Sequence, residues 1–117
     1  MYRGSCLCGN VMYEISTDFA EIECCHCLIC RKAHASAFAM GVTISRDTFS
    51  LIDGVDSLTE FESSPGKFRV FCKNCGSHLY AYRPSEPSNI RLRPACLDID
   101  LSGFAIKHIH CENKISV

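Results

Sequence analysis

The chain has 117 residues, and ten of them are cysteine against seven glycines, four prolines and no tryptophan. Twelve basic and thirteen acidic side chains leave a formal net charge of −1, which excludes the basic profile of a nucleic-acid binder and an acidic tail, so no nucleic-acid partner is expected. The 47% hydrophobic share counts cysteine as apolar, and a chain this size buries only about two-thirds of its unfolded surface. A single domain over residues 1–117 with a thin core follows, and cysteine-based staples are its natural supplement.

In chain order, period-2 alternation predicts a strand at Val11, Tyr13 and Ile15, then a short helix through Leu28 to Ala33, then a strand at Phe38, Met40, Val42 and Ile44. Ser45 is placed to cap a single turn over Arg46, Asp47 and Thr48. Strands at Phe49 to Ile52 and Leu58 to Glu62 are separated by the Asp53-Gly54 turn signal, and Ser64-Pro65-Gly66 leads to another through Phe68 and Val70. His78 to Tyr82, Ile90 with Leu92, and Phe104 to Cys111 complete the set, with Arg83 to Asn89 as a surface loop. The expected class is mainly β, with antiparallel sheets. No run of about eighteen apolar residues exists, so no membrane span is expected. The N-terminus lacks the apolar core of a signal peptide, and the expected compartment is the cytoplasm. In that reducing setting, clustered thiols mean metal or catalysis more often than disulfides.

Four cysteines form two close pairs, each followed by glycine: Cys6-Leu7-Cys8-Gly9 and Cys72-Lys73-Asn74-Cys75-Gly76. Each pair reads as a knuckle in which two thiolates face one ion and the glycine accepts the positive φ that a side chain resists. Cys6, Cys8, Cys72 and Cys75 together satisfy a tetrahedral Zn²⁺ and leave no open position, which defines a structural site.

A second cluster, Cys24-Cys25-His26-Cys27-Leu28-Ile29-Cys30, is too dense for one ion. Cys25, Cys27 and Cys30 are spaced to converge where an extended segment becomes a helix, while Cys24 points to the opposite face of a strand and packs. Three thiolates leave the fourth position of a tetrahedral zinc for water or substrate, the arrangement of a catalytic site. A fourth protein ligand, from His26, Cys96 or Cys111, would instead close it, and Cys27 with Cys30 also reads as a redox C-x-x-C pair. Two zinc ions per chain are expected.

The full constellation is Gly4-Ser5-Cys6-Leu7-Cys8-Gly9, Cys25-His26-Cys27-Leu28-Ile29-Cys30-Arg31-Lys32, Ser36-Ala37-Phe38 and Phe71-Cys72-Lys73-Asn74-Cys75-Gly76-Ser77. It resembles the glutathione-dependent formaldehyde-activating enzyme family, which includes the centromere protein V relatives. The resemblance runs from about Gly4 to Asp98. It implies a β-tent fold of small antiparallel sheets around zinc, similar to the zinc-containing methionine sulfoxide reductases of the B type. It also implies a structural zinc on Cys6, Cys8, Cys72 and Cys75 and a catalytic zinc on Cys25, Cys27 and Cys30. The implied activity is that of a carbon–sulfur lyase on a thiol adduct, forming S-(hydroxymethyl)glutathione from glutathione and formaldehyde. The run Arg93-Pro94-Ala95-Cys96-Leu97-Asp98 departs from the family, where a glycine usually stands two residues before the leucine.

With three thiolates the zinc complex carries a net negative charge, so it activates a thiol rather than polarising a carbonyl. Arg31, Lys32, Arg91 and Arg93 are candidates for the carboxylates of the tripeptide. Cys24, Cys96 and Cys111 read as packed thiols, with Cys96 placed to approach the second zinc. His108 and His110 share a strand face, His34 and His26 are candidate proton carriers, and Phe38 a candidate pocket wall. The alternative from another class is a non-catalytic, zinc-stabilised binding module whose second site is closed or vestigial.

Overall fold

The computed structural model describes residues 1–116. Ten strands and one helix follow in order: β1 Tyr2–Ser5, β2 Met12–Ile15, β3 Glu21–Cys25, α1 Leu28–His34, β4 Ala39–Ser45, β5 Phe49–Asp53, β6 Leu58–Ser64, β7 Lys67–Cys72, β8 His78–Tyr82, β9 Asn89–Leu92 and β10 Ala105–Ile109. Single 3-10 turns follow β4 at Arg46–Thr48, β5 at Val55–Ser57, β9 at Pro94–Cys96 and β10 at Cys111–Asn113. The class is mainly β, as expected.

β1, β2 and β5 form a three-stranded sheet, and the other seven strands form a second in the order β10-β3-β4-β9-β8-β7-β6. Much of the core lies where the alternation placed it: Val11, Tyr13, Ile15, Val42, Ile44, Ile90 and Leu92 are buried in one cluster, which Ile22 and Leu79 join. An aromatic ladder joins the sheets, with Tyr13 on β2 stacked on Phe49 of β5 at 5.0 Å and Phe49 edge-on to Tyr80 of β8 at 5.2 Å.

Two expectations are corrected, and one strand, β3, is additional to those expected. Not every pairing is antiparallel, because β10 adds to the edge of the larger sheet parallel to β3, with Ile106 opposite Ile22 and His108 opposite Cys24. That register is set by two segments far apart in sequence, which local periodicity cannot reveal. β3 itself escapes a simple hydrophobicity reading, since Glu21 and Glu23 dilute Ile22 and Cys24, yet Ile22 and Cys24 are fully buried. Ser45 does precede the turn at Arg46, but its hydroxyl makes no cap; Thr48 Oγ1 instead donates to the Ser45 carbonyl at 2.6 Å.

Candidate metal centres

Cys6 and Cys8 sit in the turn between β1 and β2, while Cys72 ends β7 and Cys75 lies in the turn that follows it. Each turn is a tight knuckle. Gly9 N–H donates to the Cys6 carbonyl at 3.1 Å and Gly76 N–H to the Cys72 carbonyl at 2.7 Å, with Gly9 and Gly76 at φ of 81° and 80°. No non-glycine side chain adopts that region cheaply. Leu7 N–H donates across to Ser77 Oγ at 3.0 Å, locking one knuckle on the other.

The four sulfur atoms lie within 4.8 Å of one another. Tetrahedral thiolates at the usual zinc–sulfur bond of about 2.3 Å would stand about 3.8 Å apart, and Cys6 Sγ to Cys8 Sγ is 3.6 Å and Cys8 Sγ to Cys72 Sγ 3.8 Å. A disulfide needs about 2.05 Å, and all ten cysteines are free thiols. Amides and a hydroxyl already favour the thiolate. Val11 N–H points at Cys6 Sγ at 3.3 Å. The Ser77 hydroxyl first, then the Ser77 and Cys8 amides, pull the Cys75 thiol down to about 5.

The second cluster forms where β3 runs into α1. Cys25 ends the strand, Cys27 caps the helix and Cys30 lies in its first turn. Cys27 is extended, at φ −63° and ψ 156°, and its sulfur accepts from the Cys30 amide at 3.4 Å. The three sulfurs again fall within 4.8 Å of one another. Cys25 and Cys30 are buried and Cys27 half-buried, so the group is approached from the helix-cap side.

None of the three candidate closing ligands joins this group among the described residues. The His26 ring turns away to put Nε2 2.7 Å from His108 Nδ1 and to pack on Phe38 at 5.2 Å. The Cys96 thiol donates to the His78 carbonyl at 3.4 Å. Cys111 is exposed in the 3-10 turn after β10, which corrects the reading of it as packed, whereas Cys24 is buried as expected. His110 lies outside β10 with a left-handed backbone at φ 54°, so it does not share a strand face with His108.

Sequence reasoning missed Arg69. Alternation along β7 assigns it to the polar face, yet it is only 2% exposed because α1 packs over that face. Its guanidinium donates through Nε to Ser63 Oγ at 2.8 Å, approaches His34 Nε2 through Nη1 at 3.4 Å and reaches Cys30 Sγ through Nη2 at 3.6 Å. Burial alone would raise the Cys30 thiol, but Arg69 first, then Cys25 and Cys27, outweigh it and bring the thiol to about 7. Arg93 is also buried, holds the Met40 carbonyl through Nη1 at 3.1 Å, and leaves Nη2 without a protein partner. Burial, then Arg69, lowers its guanidinium to about 10, while Cys30 and Cys25 pull it back up.

His34 stands between these cations, packed against His78 with ring centres 4.3 Å apart and the rings tilted by 35°. Burial, then Arg93 and His78, depress its imidazole to about 3, so it is neutral at physiological pH and serves as a hydrogen-bond partner rather than a proton store. Of the other cation candidates, Arg91 is held by Glu23 at 2.6 Å and Arg31 by the Asn113 carbonyl at 3.1 Å. Two cavities flank His78. One of about 390 Å³ is lined by His34, Phe38, His78, Arg93 and Cys96 among others, and one of about 500 Å³ by Ile29, Lys32, Phe61, Arg69 and Phe71. Phe38 is therefore a pocket wall.

Fold and site together define the class: a small mainly β protein with two cysteine clusters spaced to hold metal ions. The family model described as glutathione-dependent formaldehyde-activating enzyme matches residues 1–113, and the chain belongs to that family. A Halomonas elongata protein provisionally named a glutathione-dependent formaldehyde-activating enzyme is 28% identical over 97% of this chain and 77% of its own length. An uncharacterised lyase of Schizosaccharomyces pombe is 33% identical over 68% of this chain, and the match spans 56% of the yeast protein. A crystal structure of a Rhodobacter sphaeroides protein superposes with a TM-score of 0.73 at 24% identity, over 90% of this chain and 98% of that one, which establishes the shared fold.

Proposed function

We propose that the chain is a zinc-dependent carbon–sulfur lyase-type enzyme acting on a thiol adduct, with glutathione and formaldehyde as the pair its relatives' names suggest. Residues 1–117 would act as one unit, in the cytoplasm, where ten unpaired thiols stay reduced. Cys6, Cys8, Cys72 and Cys75 would hold a structural zinc, and Cys25, Cys27 and Cys30 a reactive one. The observation that carries this reading is the second cluster: three converging sulfurs, no fourth ligand atom beside them among the described residues, and a buried arginine on one of the three.

The donor set fits the ion, since soft thiolates in groups of four and three match closed and open tetrahedral zinc. When bound at the second cluster, zinc supplies an electrophilic seat on which an incoming thiol is held deprotonated at neutral pH. The chain's own residues do the rest. Arg69 offsets the negative charge that three thiolates accumulate and fixes the Cys30 sulfur. Phe38 and the packed imidazoles of His34 and His78 wall off water. In the addition step the thiol sulfur forms a bond to the aldehyde carbon, the carbonyl π pair moves to oxygen, and that oxygen takes up the proton released by the thiol.

Metal analysis of the purified protein is expected to give two zinc ions per chain. Cys27→Ser should remain folded, lose one ion and lose turnover of ¹³C-formaldehyde with glutathione by NMR, whereas Cys72→Ser should unfold. If both variants unfold alike, the second centre is structural and the protein is a zinc-stabilised binding module instead.

A further inference from the structure

We propose that the cavity between the two cysteine clusters is a carboxylate site built on Arg93, so that the thiol taken by this protein is one that carries a carboxylate within reach of its sulfur. The inference rests on the thiol-activating reading above and adds what that reading lacks, the part of the substrate that does not react.

The cavity of about 390 Å³ reaches from Gly76 and Ser77, at the four-cysteine knuckle, to Phe38, whose ring packs on the histidine between Cys25 and Cys27. On its other side His34 links it through Arg69 to Cys30. Arg93 lines this space at 5% exposure. One arm of its guanidinium is fixed by the Met40 carbonyl at 3.1 Å, and Nη2 is buried with no protein acceptor. A guanidinium held at one nitrogen and unpaired at the other presents the N–H geometry that a carboxylate accepts.

No Asp or Glu lines the cavity, while Ser36 and Ser77 add hydroxyl donors and the two imidazoles are neutral or easily made so. Arg69 and Lys67 repel Arg93, and burial raises the cost of the Arg93 and Lys67 charges. An anion placed against Nη2 relieves that repulsion. An ammonium group finds no counter-ion there, so the carboxylate and not an amino group of the ligand enters this pocket. The neighbouring cavity, with Ile29, Ala33, Phe61 and Phe71 around it, is apolar by contrast and has only Lys32 and Arg69 as cations.

The test compares 3-mercaptopropionate with its uncharged isostere 3-mercaptopropionamide on the cobalt-substituted full-length protein, reading thiol binding from the visible sulfur-to-metal bands, and titrates plain propionate by NMR. The acid is expected to bind at least ~10-fold more tightly than the amide, the interval that about 1.4 kcal/mol represents. Arg93→Met should reduce the ratio to about one without weakening the amide, and Arg93→Lys, which keeps the charge but not the fork, should fall between. Propionate should bind the wild-type protein and compete with the acid but not with the amide. Equal affinities for acid and amide in the wild-type protein, which needs no variant, would overturn the carboxylate site. If neither thiol alters the cobalt spectrum while propionate still binds in an Arg93-dependent way, the thiol-activating reading fails and the anion site stands.

Discussion

Removing Arg69 tests whether a buried cation is built into the second cysteine cluster. Arg69→Met keeps the length of the stem but removes three polar contacts, of which only the one to Ser63 at 2.8 Å has full hydrogen-bond length. Counting that charge-assisted bond at about 2 kcal/mol and the longer approaches to His34 and Cys30 at about 1 kcal/mol together gives a loss of about 3 kcal/mol, reduced somewhat because Arg93 loses a like-charged neighbour. For a chain of this length that corresponds to a fall in Tm of about 10 °C by circular dichroism. A second readout is chemical. In the metal-free protein the Cys30 thiol lies at about 7, below its ordinary 9.0, so the native state gives up its proton before the unfolded chain does. Its contribution to stability therefore grows as pH rises from about 7 towards 9 and is lost as pH falls through 7. Arg69→Met should flatten that part of the pH profile and slow alkylation of Cys30 at pH 7.5 by about tenfold, as followed by peptide mapping. A Tm within about 3 °C of wild type, with unchanged Cys30 reactivity, would refute the assignment.

Glycine substitutions separate backbone strain from steric fit. A Cβ on Gly54, at φ +98°, would sit 2.1 Å from the Asn10 carbonyl oxygen, whereas one on Gly66, at φ +78°, would meet nothing within 4 Å. Gly54→Ala should therefore cost about 3 kcal/mol or more in urea unfolding, and Gly66→Ala only about 1 kcal/mol. Cys111, the exposed thiol of the last 3-10 turn, should react first with maleimide in the metal-loaded protein, and Cys111→Ser should abolish that fast phase without changing metal content. Stepwise chelation should remove the ion of the three-sulfur centre first, with circular dichroism unchanged until the four-sulfur ion leaves and the fold collapses.

The strands of the core and the two thiol knuckles were legible because they are local. Val11, Tyr13 and Ile15 alternate, and Cys6-Leu7-Cys8-Gly9 carries its own turn chemistry in the glycine at φ 81°. The helix was legible from Leu28 because Cys27 caps it. What escaped was non-local. The parallel register of β10 on β3, the turning of His26 towards His108 and the burial of Arg69 each depend on an element distant in sequence arriving on the same face. Arg69 occupies the outward phase of β7, and period 2 assigns such a residue to solvent unless a helix covers it. Phe61, on the adjoining β6, obeys the opposite logic: an aromatic residue left 65% exposed because it borders a cavity rather than the core.

His26, Arg69 and Arg93 are the buried polar or charged side chains among the described residues, and Arg69 and Arg93 both lie near Cys30 of the second cluster. His26 separates two of the cluster's cysteines in sequence, Arg69 contacts the third, and Cys30 and Cys25 pull the Arg93 guanidinium back up against burial and Arg69. Stability alone does not explain this, since a buried ion pair is often worth no more than apolar residues of the same volume. The four-cysteine knuckles meet the same demand for charge without any buried cation, using amides and the Ser77 hydroxyl close to the surface. The difference follows if the four-sulfur centre needs only to hold an ion, whereas the three-sulfur centre must also accept a further anion. Under the proposed thiol-activating reading, three thiolates and a fourth, incoming one would repel each other in a low-dielectric setting, and two arginines beside them would remove much of that penalty.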